Sequence, residues 1–312
     1  MHLLSLLPLA AACSAAAVAR QEAAAAAPGS SGIHNWMAGP FPADNGRLRV
    51  AAPEVLTLSV AEVMEKGGNA TVAAPSPEMA AAPAPAEVLG RRDVFGADDR
   101  VLKTDTTYPW SAMGRLLIQS PNGNYICSGS MVGARVLLAA RHCVVDGASY
   151  TFSPAYYNGD RLPTAFATLV IRIPGKNEDN GGCGWKDDWA LFILNRNPGN
   201  GYLGFKTFPD RLSGASADWW NYGYPGDKSP SGPYAQNRFK VRKNPGCGSS
   251  EGGALLSDVD AAGGQSGGPI WIPESDGRYQ YAVLVGGSSQ NTILSHGSAL
   301  LNAIVAARRD YP

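Results

Sequence analysis

The amino-acid sequence predicts an all-β fold that closes with one helix. From residue 116 onward, short apolar runs recur between turn-forming residues, at 116–119, 126–132, 167–173, 190–194, 219–222, 269–272 and 281–286. The 37 glycines and 23 prolines among 312 residues supply many turns. Runs of this length and spacing favour β-barrels or sandwiches over helical folds.

The last segment has a different period. Its apolar residues recur at helical spacing, at Leu300, Leu301, Ile304 and Val305. Ser298 can cap the start of this helix, and Arg308 and Arg309 suit its carboxyl end, where the helix dipole favours positive charge. We therefore expect a C-terminal helix packed on the second half of the β structure.

Residues 1–19 have the features of a secretory signal peptide. An apolar core covers 3–12, and Ala17-Val18-Ala19 offers small residues at cleavage-site spacing. No later apolar run is long enough to cross a bilayer. The sequence therefore predicts a secreted, extracellular protein with no membrane contact once the leader is removed.

Residues 20–93 differ in composition from residues 94–312. Alanine fills 23–27, and alanine and proline dominate 73–86, as in linkers and flexible segments. Between them, 48–64 has some apolar spacing and can form a short ordered piece. The segment has the character of a propeptide that is low in complexity and partly disordered. The alternative is a permanently disordered tail.

One serine, Ser266, lies in the nearly side-chain-free stretch Gly-Gly-Gln-Ser-Gly-Gly-Pro at 263–269. A serine that attacks carbonyl carbons needs such clearance, and backbone N–H groups must point at the oxygen that becomes negative. Glycines allow the backbone angles that this loop requires and let a substrate main chain approach. Ser266 is therefore the candidate nucleophile. An ordinary glycine-rich turn is the plainer interpretation.

A general base must accompany that serine, and the chain has four histidines: His2, His34, His142 and His296. His2 lies in the leader and His34 in the segment before the folded part. Of the remaining two, only His142 directly follows an apolar, strand-like run. With the serine loop downstream, this placement favours a catalytic role over a structural one.

A carboxylate should orient the imidazole and stabilise its protonated form. Asp188 precedes the apolar run 189–194, where an aspartate is costly to bury unless it is paired. Asp187 is the near alternative, and we expect it to be a solvated turn residue. The sequence thus offers Asp188, His142 and Ser266 as a hydrolytic triad.

These segments resemble the chymotrypsin-like serine peptidases. The order His, Asp, Ser is that of the family, and Ala-Arg-His-Cys, Asp-Trp-Ala-Leu and Gly-Gln-Ser-Gly-Gly-Pro stand where the family has its triad motifs. The loop Gly-Tyr-Pro-Gly-Asp-Lys at 223–228 is similar to one in the V8-type branch, the glutamyl endopeptidases and their relatives. Segments 94–100 and 104–109 resemble the start of the mature enzymes of that branch.

The resemblance implies two six-stranded antiparallel β-barrels, at about 94–205 and 206–312, with the active site in the cleft between them. The first barrel would carry the histidine and the aspartate, and the second would carry the serine. The N–H groups of Gly264 and Ser266 would form the oxyanion hole. A precursor cut near residues 92–94 is also implied, which would release a peptidase domain at 94–312.

Four residues are expected to line the substrate pocket: Asp260, Leu284, Gly286 and Gly287. Glutamate-preferring members of the branch carry a histidine at the position that matches Leu284, so this chain is not expected to prefer glutamate. Asp260 lies six residues before Ser266, the offset at which trypsin-like members bind Lys or Arg through an aspartate. A structural role for Asp260 in the loop is equally open. The two glycines would leave the pocket walls open.

Four cysteines remain once the leader is removed: Cys127, Cys143, Cys183 and Cys247. Four cysteines allow three pairings. In the family a bridge ties the histidine loop to the neighbouring strand, which implies Cys127 with Cys143 and hence Cys183 with Cys247. A zinc site is the rival interpretation, which the absence of close Cys-x-x-Cys spacing disfavours.

Composition narrows the function further. With 26 basic and 26 acidic residues the net charge is near zero, without the basic surplus typical of nucleic-acid-binding proteins. No metal or organic cofactor is implied. We expect a monomeric serine endopeptidase that cleaves protein or peptide substrates through an acyl-enzyme. The alternatives are a catalytically silent binding protein with the same fold and an esterase, which the order of the triad disfavours.

Overall fold

Short strands form most of the regular secondary structure of the described chain. In a computed structural model, the described residues are 34–35, 37–41, 50–76, 98–175, 183–199, 201–228, 231–248, 251, 253–288 and 290–312. All of them belong to one unit, Ser31–Pro312. The leader expected at 1–19 and the cut expected near 92–94 lie outside the described residues.

The elements are numbered in chain order. The strands are β1 (His34–Asn35), β2 (Ala38–Phe41), β3 (Glu54–Thr57), β4 (Val72–Ala73), β5 (Val101–Leu102), β6 (Met113–Ser120), β7 (Gly123–Met131), β8 (Val136–Ala140), β9 (Ser149–Pro154), β10 (Ala165–Arg172), β11 (Trp189–Leu194), β12 (Gly204–Lys206), β13 (Trp220–Gly223), β14 (Tyr234–Asn237), β15 (Val241–Lys243), β16 (Leu255–Ser257), β17 (Pro269–Glu274), β18 (Gly277–Gly287) and β19 (Thr292–Ser295). The helices are α1 (Val60–Gly67) and α2 (Ser298–Asp310).

The all-β class is confirmed, and the first barrel closes as expected. Its strands are ordered β11-β8-β7-β6-β9-β10, and β10 pairs back onto β11 in antiparallel register. Strands β8 and β11 are buried along their whole length, because both of their faces are covered and the sequence there is a continuous apolar run. This pairing matters for the site, because it holds the end of β8 beside the start of β11.

The second sheet is a half-barrel, where the resemblance implied a closed barrel of six strands. Its strands are ordered β15-β16-β19-β18-β17-β13-β14-β5. Strand β5 pairs with the outer edge of β14, with Tyr234 opposite Leu102. Strands β15 and β5 lie at the two ends of this order and do not pair with each other, so the sheet stays open among the described residues.

Helix α2 forms at the expected place but differs in two details. Gly297, with φ +124°, is the residue before the helix, and the Ser298 amide donates to Glu251 Oε1 at 2.7 Å. Ser298 is therefore the first helical residue, and a carboxylate from another loop satisfies its amide. The buried face of α2 joins the apolar core of the first barrel and contacts β8 and β11, whereas we expected it against the second.

The segment before the barrels contains an ordered module, residues 50–76. Strand β3 pairs in parallel with β10, β4 pairs with β12, and α1 packs on α2. Ser59 and Glu62 form a capping box at the start of α1. At the other end, a Cβ placed on Gly67 would lie 2.3 Å from Asn302 Cβ. The predicted ordered piece at 48–64 is thus part of a longer module that docks closely on the folded domain.

The two β units meet through aromatic packing. One apolar cluster contains residues from both, among them Trp110, Tyr222 and Trp271. The Trp110 and Trp271 rings lie edge to face with 5.7 Å between their centroids. This contact fixes the cleft between the two units, where the candidate catalytic side chains lie.

Candidate active site

His142 is held on both sides by covalent and hydrogen-bonded contacts. It lies in a single 3₁₀ turn, Arg141–Cys143, directly after β8. Cys143 forms a disulfide with Cys127 of β7. The His142 backbone amide donates to Asp188 Oδ1 at 2.9 Å, and its Nδ1 lies 2.7 Å from Asp188 Oδ2. The ring orientation is therefore set by one carboxylate.

Asp188 is placed by the pairing of β11 with β8. It precedes Trp189, which pairs with Ala140, and its carbonyl accepts from the Arg141 amide at 3.2 Å. Its side chain is nearly inaccessible, because the whole residue is only 2% exposed. A carboxylate is buried at low cost only when it is paired, and here the histidine supplies two donors.

Asp187, the alternative carboxylate, has a different partner. Its Oδ1 lies 2.9 Å from Lys186 Nζ. The residue is 3% exposed, so the expectation that it is solvated is wrong. It is buried because the short 3₁₀ turn Cys183–Asp187 packs beneath β19, where the Lys186 carbonyl accepts from the Ser295 hydroxyl at 2.6 Å.

Ser266 lies in a tightly bonded turn just before β17. Its carbonyl accepts from the Ser128 amide at 2.8 Å, and the Gly267 amide donates to the Leu284 carbonyl at 2.7 Å. Gly267 has φ +88°, and a Cβ there would lie 2.1 Å from the Ser128 oxygen. Only glycine fits this position, which explains the residue that follows the serine.

The loop also uses its own backbone to hold its shape. The Gln265 amide donates to the Ala262 carbonyl at 3.0 Å, and the Gly268 amide donates to the Gln265 carbonyl at 2.8 Å. Gly264 has φ +98°, and its carbonyl accepts from the Ser128 hydroxyl at 2.8 Å. The expected oxyanion donors, the amides of Gly264 and Ser266, thus belong to a rigid turn.

The second ring nitrogen of His142 is unpaired in the described part of the chain. His142 Nε2 is buried and has no hydrogen-bond partner there, so no hydrogen bond joins it to the Ser266 hydroxyl. Ser266 itself is 0% exposed. With Nδ1–H directed at Asp188, Nε2 carries the lone pair that a general base needs.

An arginine that sequence analysis missed supports the serine loop. Arg100 Nη1 donates to Gln265 Oε1 at 2.7 Å, directly beside Ser266. Its Nη2 donates to Asp98 Oδ2 at 2.8 Å and to Asp227 Oδ2 at 2.6 Å. Burial acts to lower the pKa of Arg100, but the two carboxylates outweigh it and raise that pKa.

The four expected pocket residues have unequal roles in the structure. Asp260 Oδ2 accepts from the Asp99 amide at 2.9 Å, so this carboxylate ties down the segment that carries Arg100. Burial raises the pKa of Asp260. Leu284 is fully buried in the apolar core of the second sheet. Gly286 and Gly287 lie at the end of β18, opposite β1.

The second candidate base, His296, has a structural contact. Its Nε2 lies 2.7 Å from the Gly253 carbonyl, and the residue is 3% exposed. Burial lowers the pKa of His296 to about 4. It therefore remains uncharged at neutral pH and helps to hold the loop that contains Gly253.

Both disulfides have the pairing that the resemblance implied. Cys127 joins Cys143 across 16 residues, and Cys183 joins Cys247 across 64 residues. Within the described ranges, no group of three or more His, Cys, Asp or Glu side chains is arranged to hold a metal ion. The helices described here are all too short or too polar to cross a membrane.

Comparisons with known proteins agree with this fold. The trypsin family profile matches residues 102–298. A glutamyl endopeptidase of Bacillus licheniformis is 30% identical over 223 residues, which cover 64% of this chain and 64% of that protein. A glutamyl endopeptidase of Staphylococcus aureus strain MRSA252 is 27% identical over 193 residues, which cover 57% of this chain and 49% of that protein.

The same fold is found among solved structures. A Glu endopeptidase in complex with MPD superimposes with a TM-score of 0.53 at 18% identity, over 69% of this chain and 98% of that one. The chain belongs to the trypsin family of chymotrypsin-like serine peptidases, in its V8-type branch. It spans about two thirds of one curated relative that it matches and about half of the other.

Proposed function

We propose that this protein is a secreted serine endopeptidase, made as a precursor, that cleaves protein or peptide substrates with Ser266, His142 and Asp188. One observation carries the proposal: a buried carboxylate holds His142 Nδ1 at 2.7 Å, while Nε2 of the same ring has no partner in the described residues. Family membership supports it, as do the relatives that are named glutamyl endopeptidases.

The chemistry proceeds in two transfers. Ser266 Oγ attacks the scissile carbonyl carbon as His142 Nε2 accepts the hydroxyl proton, and the imidazolium is stabilised by Asp188. The tetrahedral intermediate collapses, the C–N bond breaks, and the same proton passes to the leaving amine. A water molecule then adds to the acyl-enzyme with His142 as base, which releases the carboxylic acid and restores the serine.

The negative oxygen of each intermediate is placed against the amides of Gly264 and Ser266. Each such donor contributes about 3 kcal/mol to transition-state stabilisation. The neighbouring amides of Gln265, Gly267 and Gly268 are used to hold the turn. The loop is therefore preorganised, and little of its conformational entropy has to be lost during the reaction.

We expect the residue that this protein prefers at the cleavage site to differ from the glutamate that the names of the relatives indicate. Leu284 is fully buried in the second core and offers no positive group to a glutamate side chain. Asp260 lies near the loop, but its carboxylate accepts a backbone amide. We expect cuts that are not confined to glutamate. Cuts after Lys or Arg that disappear in Asp260→Ala would assign a basic pocket.

A peptide-library digest tests the activity. The processed protein, the Ser266→Ala variant and a matched control, Ser213→Ala at an exposed position, are incubated with the library, and the cleavage positions are mapped by mass spectrometry. The wild type and the control should cut alike, and Ser266→Ala should be inactive. Equal cleavage by all three proteins would exclude this serine as the nucleophile.

A further inference from the structure

Two short strands upstream of the domain lie on either side of the serine loop. β1 pairs in antiparallel register with β18, with Asn35 opposite Gly286 and His34 opposite Gly287. β2 pairs in antiparallel register with β7, with Ala38 opposite Ile126. Strand β1 belongs to the second sheet and β2 to the first barrel, and only two residues separate them along the chain.

Both pairings lie close to Ser266. On one side, the Leu284 carbonyl accepts from Gly267, the residue after the serine, and Gly286 is two residues further along the same strand. On the other side, the Ser128 amide donates to the Ser266 carbonyl, and Ile126 is two residues before Ser128. An extended chain covers about 10 Å in the three steps from Asn35 to Ala38. Asn35 and Ala38 therefore lie within about 10 Å of each other, one on each side of the serine loop.

The strand edges that β1 and β2 occupy are left open by the rest of the domain. β17 pairs with β18 only as far as Val283, opposite Pro269. The rest of that edge, up to Gly287, does not pair with β17. Along β7, pairing with β8 is confined to Ser130 and Met131, and β2 takes the edge at 124–126. Open edges of this kind bind extended peptides by adding a strand.

The close approach and the burial of the serine agree with this course. A Cβ on Gly39 would lie 2.7 Å from the Asn124 carbonyl oxygen, and Gly39 has φ +141°. Ser266 is 0% exposed and Ile126 is 4% exposed. A peptidase must admit a peptide backbone to its serine, and in this form of the chain Ser266 has no exposed surface while β1 and β2 pair with the neighbouring strands.

We infer that strands β1 and β2 occupy the peptide-binding edges on both sides of Ser266 in the manner of a substrate, and that they block the site until they are displaced. The inference rests on the proposed function, since it assigns these edges to substrate. The docked module at 50–76 supports the same arrangement, because it anchors the chain that follows the strand to α2 and β10.

Labelling of Ser266 in the uncut chain tests the inference. A fluorophosphonate probe is added to the full chain, and uncut and processed bands are separated on a gel. Replacing both His34 and Asn35 with proline removes two backbone donors. It should speed labelling of the uncut band at least about tenfold, since the strand is held by such hydrogen bonds. The matched double alanine variant keeps the backbone donors and should label as slowly as the wild type.

A second variant tests the other end of the strand. Gly39→Val introduces a side chain against the Asn124 carbonyl and should also speed labelling of the uncut band. If the uncut wild type labels as fast as its own processed form, the blocking strand is refuted and the activity stands. If the processed form of every variant fails to label, the proposed function itself is refuted.

Hydrogen exchange gives a measurement that needs no variant in the strand. In uncut Ser266→Ala protein, segments 123–127 and 285–288 should exchange more slowly than in the processed protein. Equal exchange in the two forms would contradict the pairing of β1 and β2 with the domain.

Discussion

Replacing Arg100 with methionine should lower catalytic efficiency much more than it lowers stability. Methionine keeps most of the buried volume but removes the guanidinium that donates to Gln265 Oε1 at 2.7 Å. Gln265 precedes Ser266, so the loss acts directly on the loop that holds the proposed nucleophile. The Ala262 amide still donates to the same oxygen at 2.9 Å, so the turn should loosen without unfolding.

The magnitude is set by the contacts. A hydrogen bond to a charged group contributes about 1.5–3 kcal/mol, and the loss of that amount from transition-state positioning corresponds to about a 10- to 150-fold lower kcat/KM. The Asp98 and Asp227 side chains are 34% and 47% exposed. Water can therefore replace the arginine at both carboxylates, which limits the loss of folding free energy to about 1–2 kcal/mol.

The assay compares three processed proteins on one peptide taken from the library digest. Arg100→Lys keeps the charge but loses the planar fork, so it should fall between the wild type and Arg100→Met. Thermal unfolding is measured on the same samples. A kcat/KM for Arg100→Met within about twofold of the wild type would refute the positioning role, whatever the change in stability.

Three further predictions concern stability. Gly67→Ala places a methyl group against α2 and should weaken docking of residues 50–76 by about 1–3 kcal/mol, which hydrogen exchange would show as faster exchange in that segment. The exposed control Glu65→Ala should leave the exchange rate unchanged. Equal exchange in the two variants would contradict the close packing. Burial lowers the pKa of His296 to about 4, so the unfolded state takes up the proton first as pH falls below about 6.5. The free energy of unfolding should therefore fall by up to about 3 kcal/mol between that pH and pH 4. Urea unfolding at several pH values measures this drop, and His296→Gln should flatten it; an equally steep profile in the variant would assign the drop to other groups. Serine at both Cys183 and Cys247 opens a loop of 64 residues and should cost about 4 kcal/mol by chain entropy, and an unchanged urea midpoint would argue against that bridge in solution.

Local sequence patterns predicted five of the six strands of the first barrel, all but β9, and the side chains proposed for the candidate site. Runs such as 190–194 are apolar throughout because their strands are buried on both faces. The histidine and the aspartate follow and precede such runs, so the pairing of β8 with β11 brings them together. Their positions at strand ends, together with the serine loop downstream, were enough to propose each of them.

Long-range contacts explain what the sequence did not reveal. Arg100 reaches Asp227 and Gln265 across 127 and 165 residues, and no local period marks such a pairing. The second sheet stays open among the described residues, and the strand β5 at its end has only two residues, too few to give an alternating pattern. Helix α2 packs on the first barrel because an apolar face of that barrel is left uncovered. The periodicity of the helix predicts its own buried face but not the surface against which that face packs.

The most direct test of the proposed chemistry is the site of covalent modification in the processed protein. After reaction with a fluorophosphonate, peptide mapping should find one adduct, on Ser266, and the His142→Ala variant should leave that serine unmodified. An adduct on another residue, or equal modification of Ser266 without the histidine, would contradict a nucleophile activated by this imidazole.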